Sequence, residues 1–184
     1  MPTNPPRVYW DADVLLSLIN GYPERVPIIV AALTEAEKDN PPYELITSTL
    51  SIAEVAYAEE ERTGRALSEE AEARIARLWH PRSSPIKLIE VYRLITEEAA
   101  RLIRTLAVPN GWRLTPRDAI HLASAKLLEA TEFQTYDEKL DKFAEGLGLD
   151  IVRPHVLQPV LVAPIDPEGV DESSGAEGSG NVPA

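Results

Sequence analysis

Apolar positions recur along this chain at two periods, and the switches between them lay out an alternation of strands and helices. A short apolar run at 7–10 reads as a strand ending on Asp11. Val14, Leu15, Leu16, Leu18 and Ile19 follow at near-helical spacing, with Asp13 as the expected N-cap and Asn20-Gly21-Tyr22-Pro23 as the break. A second helix is predicted from about Arg25 to Lys38, with Pro27 tolerable in its first turn and Pro41-Pro42 ending it. A strand is predicted at 43–47, a helix from Leu50 to Gly64, a polar helix at 68–79 and a strand at 86–91. Ala99, Leu102, Ile103 and Leu106 share one face of a helix predicted over 96–106. Asn110-Gly111 marks a turn before the clearest helix of the chain, 115–130. A strand at 133–136, a short helix at 137–146 closed by Gly146 and Gly148, and a strand at 149–152 complete the pattern. Strands that alternate with helices predict an α/β domain with a largely parallel sheet.

Beyond Pro164 the pattern stops. Pro, Gly, Ser and acids dominate, and little is left to bury. The expected organisation is a folded domain at 7–153, a Pro-rich C-terminal extension at 154–163 and an acidic disordered tail at 164–184. No internal repeat is visible.

Composition narrows the chemistry. With 184 residues, 44% apolar and 26% charged, the chain resembles ordinary globular usage. There is no cysteine, which excludes disulfides, thiolate metal sites and a cysteine nucleophile and fits a reducing cytoplasm. The three histidines, His80, His121 and His155, are far apart in sequence, so no histidine-pair metal site is expected. No apolar run approaches a membrane span, and 1–7 lacks the apolar core of a secretion signal. A cytoplasmic protein without membrane contact is expected.

A net charge of −12 argues at first against a nucleic-acid partner. The distribution changes that picture: residues 1–61 carry −8, 62–126 carry +5 and 127–184 carry −9. A basic middle lies between acidic ends. Folding can gather it into a patch, or leave it as solvated helix faces.

There is no Gly-rich phosphate loop, no dinucleotide fingerprint and no nucleophile elbow. What stands out is carboxylates at the edges of apolar elements. Asp11 and Asp137 end predicted strands, while Glu54 and Asp118 fall in the first turn of predicted helices. In a parallel α/β sheet these places share one edge, where such folds bind ligands. Converging carboxylates repel one another and call for a cation. An all-oxygen pocket suits Mg²⁺ or Mn²⁺, which supports in-line phosphoryl displacement without a protein nucleophile. Taken singly, each acid has a simpler reading. Ser51-Ile52-Ala53-Glu54 and Thr115-Pro116-Arg117-Asp118 look like capping boxes, and Asp11 and Asp137 look like turn residues. Their shared kind of edge favours a site.

Four stretches resemble the motifs of a PIN-domain ribonuclease, and specifically a VapC-type toxin of a type II toxin–antitoxin system. Val8-Tyr9-Trp10-Asp11-Ala12-Asp13-Val14-Leu15-Leu16 resembles the opening motif, and Thr47 through Val55 is similar to the second, which carries Glu54. Leu114 through Ala125, with Thr115-Pro116-Arg117-Asp118-Ala119-Ile120-His121, closely resembles the third, and Phe133-Gln134-Thr135-Tyr136-Asp137 the fourth. The resemblance implies a PIN-like three-layer α/β/α sandwich with a central, mostly parallel sheet. It also implies a Mg²⁺ (or Mn²⁺) site held by Asp11, Glu54, Asp118 and Asp137, endonuclease activity on RNA and a cognate antitoxin protein. A homodimer is expected. Asp13 stands where a neutral polar residue is common, the step from Glu54 to Asp118 is long, and the acidic tail is extra.

Around these acids, Asp13, Thr135 and His121 are candidate supporting residues. His121 lies three residues after Asp118 and so can orient that carboxylate or touch RNA; as a lone histidine in an apolar helix it also reads as structural. Arg113 and Arg117, nearest Asp118 in the basic segment, are the candidate RNA contacts at the pocket rim. Trp10, Trp79 and Trp112 read first as packing residues rather than base-stacking ones, and Asp141 as solvated. The competing classes are a PIN-like RNA- or protein-binding module without cleavage and a DNA-directed nuclease with the same metal chemistry.

Overall fold

The computed structural model describes residues 5–55, 63–80 and 82–157. The end of the helix predicted after Leu50, most of the Pro-rich extension and the whole acidic tail lie outside the described residues. The order is β1 (Arg7–Trp10), α1 (Ala12–Ile19), α2 (Val26–Ala36), β2 (Glu44–Ser48), α3 (Leu50–Glu54), α4 (Glu69–Leu78), β3 (Ile86–Ile89) and α5 (Arg93–Leu102). A π-helical turn (Ile103–Ala107), α6 (Pro116–Leu127), β4 (Glu132–Gln134), a 3₁₀ turn (Glu138–Phe143), α7 (Ala144–Leu147) and β5 (Asp150–Val152) follow.

The five strands form one sheet in the order β3-β2-β1-β4-β5, every neighbouring pair parallel. Tyr9 in the central strand faces Ile46 on one side and Phe133 on the other. The chain builds outward from β1 through β2 to β3, then returns to the far side of β1 for β4 and β5. The order therefore reverses between β1 and β4, and the carboxyl ends of strands at such a reversal frame a crevice.

The pleat divides the core into two layers. Val8, Trp10 and Leu45 point to one face and pack with Val14, Leu15, Ile29 and Leu78 from α1, α2 and α4. Tyr9, Ile46 and Phe133 point to the other and pack with Ile95, Leu102, Leu122 and Phe143 from α5, α6 and the 3₁₀ turn. The result is a three-layer α/β/α sandwich around a parallel sheet. All three tryptophans pack: Trp10 is buried and donates to Gln134 Oε1, Trp79 lies against the first layer, and Trp112 meets Phe143 edge-on.

Several element boundaries differ from the sequence pattern. Asp11, not Asp13, caps α1: its Oδ1 accepts from the Asp13 and Val14 amides. The helix expected at 96–106 starts three residues earlier and widens into the π-helical turn, closed by the Val108 amide donating to the Ile103 carbonyl. Side-chain periodicity carries no signal for that widening. α1 ends as predicted, with Gly21 at φ +70, a left-handed conformation that favours glycine, and with Arg74 of α4 donating to the Ile19 carbonyl.

Phe133 is fully buried and its ring stacks on Tyr9 with centroids 5.3 Å apart, so it joins the central strand to one helical layer. Phe133→Ala should cost about 3–5 kcal/mol of unfolding free energy in a urea titration. A loss below about 1 kcal/mol would show that the two layers do not hang on this contact.

Candidate active site

Asp11, Asp13, Glu54, Asp118 and Asp137 line one cavity of about 90 Å³ at the carboxyl edge of the sheet, together with Arg117 and His121. Acids separated by up to 126 positions in sequence are brought together there by the strand reversal.

Asp11 is buried where β1 runs into α1. Its second oxygen, Oδ2, accepts from the Thr135 hydroxyl at 2.5 Å, and Thr135 Oγ1 in turn accepts from the Asp137 amide. Thr135 thus ties the first acid to the loop that carries the last. Burial pushes the Asp11 carboxyl up to about 7, although the Thr135 hydrogen bond opposes the shift. Asp13 stands at the mouth. Its carboxyl is raised first by loss of solvent and then by the charge of Asp137, while Arg25 and Arg117 act against this.

Glu54 does not cap its helix. Its Oε2 meets His121 Nε2 at 2.5 Å, and its Oε1 forms an ion pair with Arg117 Nε at 2.9 Å, while Ser51 bonds Thr47 instead. The ring of His121 is buried and its Nδ1 lies 2.8 Å from the Tyr9 hydroxyl. A carboxylate offers only acceptors, so Nε2 carries a proton toward Glu54. In the neutral ring Nδ1 then accepts from Tyr9, whose hydroxyl burial keeps protonated. His121 therefore orients Glu54, not Asp118 as its helical spacing suggests.

Asp118 sits in the first turn of α6. Thr115 caps that helix: its hydroxyl oxygen accepts from the Asp118 amide and its hydroxyl donates to Asp118 Oδ2 at 2.7 Å. Asp137 Oδ1 accepts from the Lys139 amide and so starts the 3₁₀ turn. Asp11 and Asp137, which the sequence presents as turn residues, cap the helical turns that follow them, and their caps leave them on the cavity wall.

The donor set suits a hard divalent cation, since it offers carboxylates and no thiolate. Arg117 bridges Glu54 and Asp118, with Nε 2.9 Å from one and 3.7 Å from the other, and so supplies positive charge where a cation would sit. Among the described residues no three donors converge closely enough to cage an ion without rearrangement. Asp11, Glu54, Asp118 and Asp137 are instead each met by a protein donor. Arg117 itself is largely exposed.

The expected RNA contacts divide. Arg117 lines the cavity but is engaged with acids; Arg113 is exposed and is not part of the cavity wall. Much of the basic middle is neutralised locally: Arg77 pairs with Glu37, Lys87 with Glu44, Arg93 with Glu97, and both Arg101 and Lys126 with Glu98. Asp141 pairs with Arg153. Sequence reasoning missed Arg25, which borders the same site; its segment is the acidic one, and no local pattern marks it.

Two findings come from comparison with known proteins. The PIN domain family model matches residues 8–146. No curated protein matches the sequence itself. Among solved structures, the Mycobacterium tuberculosis sarcin-ricin loop cleaving toxin VapC20 superposes with a TM-score of 0.55 at 15% identity, covering 73% of this chain and 93% of that one. VapBC2 from Rickettsia felis, bound to a DNA fragment from its promoter, gives 0.59 at 16% identity, covering 79% and 96%. FitAcB from Neisseria gonorrhoeae gives 0.55 at 16%, covering 80% and 97%. At these identities the likeness is one of fold.

Because the folded chain holds a proton on Asp11 up to about pH 7 while the unfolded carboxyl sheds it near 3.8, stability falls as pH rises through that window. Chemical denaturation of the EDTA-treated chain should show a loss on the order of a few kcal/mol across it, and Asp11→Asn should flatten the profile. A profile unchanged by that substitution would show that Asp11 is not the group being stressed. His121→Ala strands both the Tyr9 hydroxyl and a Glu54 oxygen, and should cost about 2–4 kcal/mol.

Proposed function

This chain belongs to the PIN domain family, and from that premise we propose that it is a metal-dependent endoribonuclease acting as the toxin of a toxin–antitoxin pair. One observation carries the reading: Asp11, Glu54, Asp118 and Asp137, each from a different family motif, share one small cavity at the sheet's carboxyl edge. The order and spacing of the four motifs support the toxin class, and the fold likeness to a sarcin-ricin loop cleaving toxin agrees with RNA as substrate. A cognate antitoxin protein is the proposed partner.

In this proposal Asp11, Glu54, Asp118 and Asp137 would hold one or two Mg²⁺ or Mn²⁺ ions. A bound divalent ion supplies a Lewis acid that lowers the pKa of water and offsets charge developing on the phosphoryl group. The remaining work belongs to the protein. Thr135 fixes the Asp11 carboxylate with one hydrogen bond, leaving its other oxygen to the α1 amides. His121, steadied by Tyr9, fixes one oxygen of Glu54 and leaves the other with Arg117. Arg117 supplies countercharge to Glu54 and Asp118 at the cavity wall.

Cleavage of single-stranded RNA should vanish with EDTA and return with Mg²⁺ or Mn²⁺. Asp118→Asn should lower kcat on the order of 100-fold and weaken Mn²⁺ binding in an electron paramagnetic resonance titration. Its unfolding free energy should change by less than about 1 kcal/mol, because the Thr115 hydroxyl still accepts from the residue-118 amide. RNA cleavage that persists in EDTA-treated wild type and in Asp118→Asn would overturn the reading.

A further inference from the structure

A second concavity of about 540 Å³ opens directly from the carboxylate cavity, sharing Asp13, Leu16, Glu54 and Arg117 with it. Its far wall is formed by Ser17, Asn20, Tyr22, Glu24 and Arg25, the end of α1 and the turn into α2. We propose, on the footing of the ribonuclease reading above, that this groove is the path of the RNA strand flanking the scissile bond, and that the Arg25 guanidinium binds a phosphate there.

The observations that favour this are about how Arg25 is held. Its guanidinium carbon lies 4.1 Å from the centroid of the Tyr136 ring and 5.3 Å from that of Tyr22. Nη1 donates to Ser17 Oγ at 3.0 Å, and the buried Ser17 hydroxyl is itself anchored by donating to the Asp13 carbonyl at 2.7 Å. Two rings and a buried hydroxyl fix the planar group with little rotamer entropy left to lose, which is what a phosphate-binding arginine needs. Other arginines with an acidic partner, such as Arg77, Arg93 and Arg101, pair within hydrogen-bond distance. The Arg25 pair with Glu24 is 3.9 Å long with its carboxylate exposed, and contributes little, while the Arg25 charge also acts on the Asp13 carboxyl.

Position decides the ligand. A strand with one phosphate among the acids must leave the small cavity, and this groove is contiguous with it. Arg117 stands at the junction and Arg25 beyond it, so a polyanion leaving the acids meets two guanidiniums in succession. A chain of net charge −12 needs such local cations beside its acids. The relevant cation comes from the acidic N-terminal third of the sequence, not from the basic middle.

The test uses the full chain carrying Asp118→Asn, so that substrate survives, and a fluorescein-labelled single-stranded RNA pool, with anisotropy read against KCl. Arg25→Gln should weaken binding about tenfold and reduce the slope of log K against log salt by about 0.7. Arg93→Gln, exposed on the opposite face of the sheet, should leave both unchanged. Thermal unfolding controls for structural damage. Should Arg25→Gln fail to fold, Glu24→Gln tests the groove with the opposite sign: losing the exposed acid should tighten binding about twofold. Unchanged affinity and slope in Arg25→Gln, or unchanged affinity in Glu24→Gln, overturns the groove assignment. Metal-dependent cleavage of the pool by the otherwise unmodified chain then keeps the nuclease reading standing. An unmodified chain that neither binds nor cleaves the RNA overturns both.

Discussion

Five carboxylates around a cavity of about 90 Å³ repel one another, and that repulsion is the constraint to which the surrounding structure answers. Asp11 carries the largest cost, chiefly from loss of solvent at its buried position and to a smaller degree from the charge of Asp13. Every polar neighbour of the acids is arranged to reduce the strain. Thr135 donates to Asp11, Thr115 to Asp118, backbone amides to Asp11 and Asp137, and Arg117 bridges Glu54 and Asp118. Each donor also fixes a carboxylate oxygen in direction. The cost of assembling the charges and the precision with which they are aimed therefore have one source.

Topology makes the crowding possible. Asp11 leaves the central strand, and the loop bearing Thr135 and Asp137 leaves β4, its neighbour across the reversal. Their helices depart to opposite faces of the sheet, so the strand ends stay open. α6 brings Asp118 and His121 from one layer while α3 brings Glu54 from beside α1, and the His121–Glu54 contact closes the cavity between them. The Tyr9 hydroxyl supports that contact from within the sheet. A core tyrosine in the central strand is thus mechanically continuous with a site acid through one imidazole.

Charge works at two scales here. At the scale of the chain, −12 opposes a polyanionic ligand. At the scale of a groove, what matters is which cations are unspent. About half of the arginines and lysines of 62–126, among them Arg77, Lys87, Arg93, Arg101 and Lys126, meet glutamates. Arg25 is held chiefly by rings and a hydroxyl, with Glu24 at 3.9 Å and the Asp13 charge as its acidic neighbours.

Much of this was legible without coordinates. The strand and helix order and the four candidate acids follow from periodicity and from where carboxylates fall relative to apolar runs, because those are local properties of the chain; the α/β/α layering was implied by the family resemblance. The caps show the limit. Asp11 and Asp13 are both good N-cap residues, and only the path of β1 into α1 selects Asp11. Ser51 and Glu54 have capping-box spacing, yet Ser51 turns to Thr47 and Glu54 to His121, because partners across the fold outcompete the helix end. His121 lies one turn from Asp118 in sequence but serves Glu54, 67 positions away. Arg25 carries no local signature, and its stack on Tyr136 exists only once β1 and β4 are neighbours. Periodicity decides which residues face inward. Which polar groups meet there depends on strand order, a property of the packed sheet that no single stretch of sequence contains.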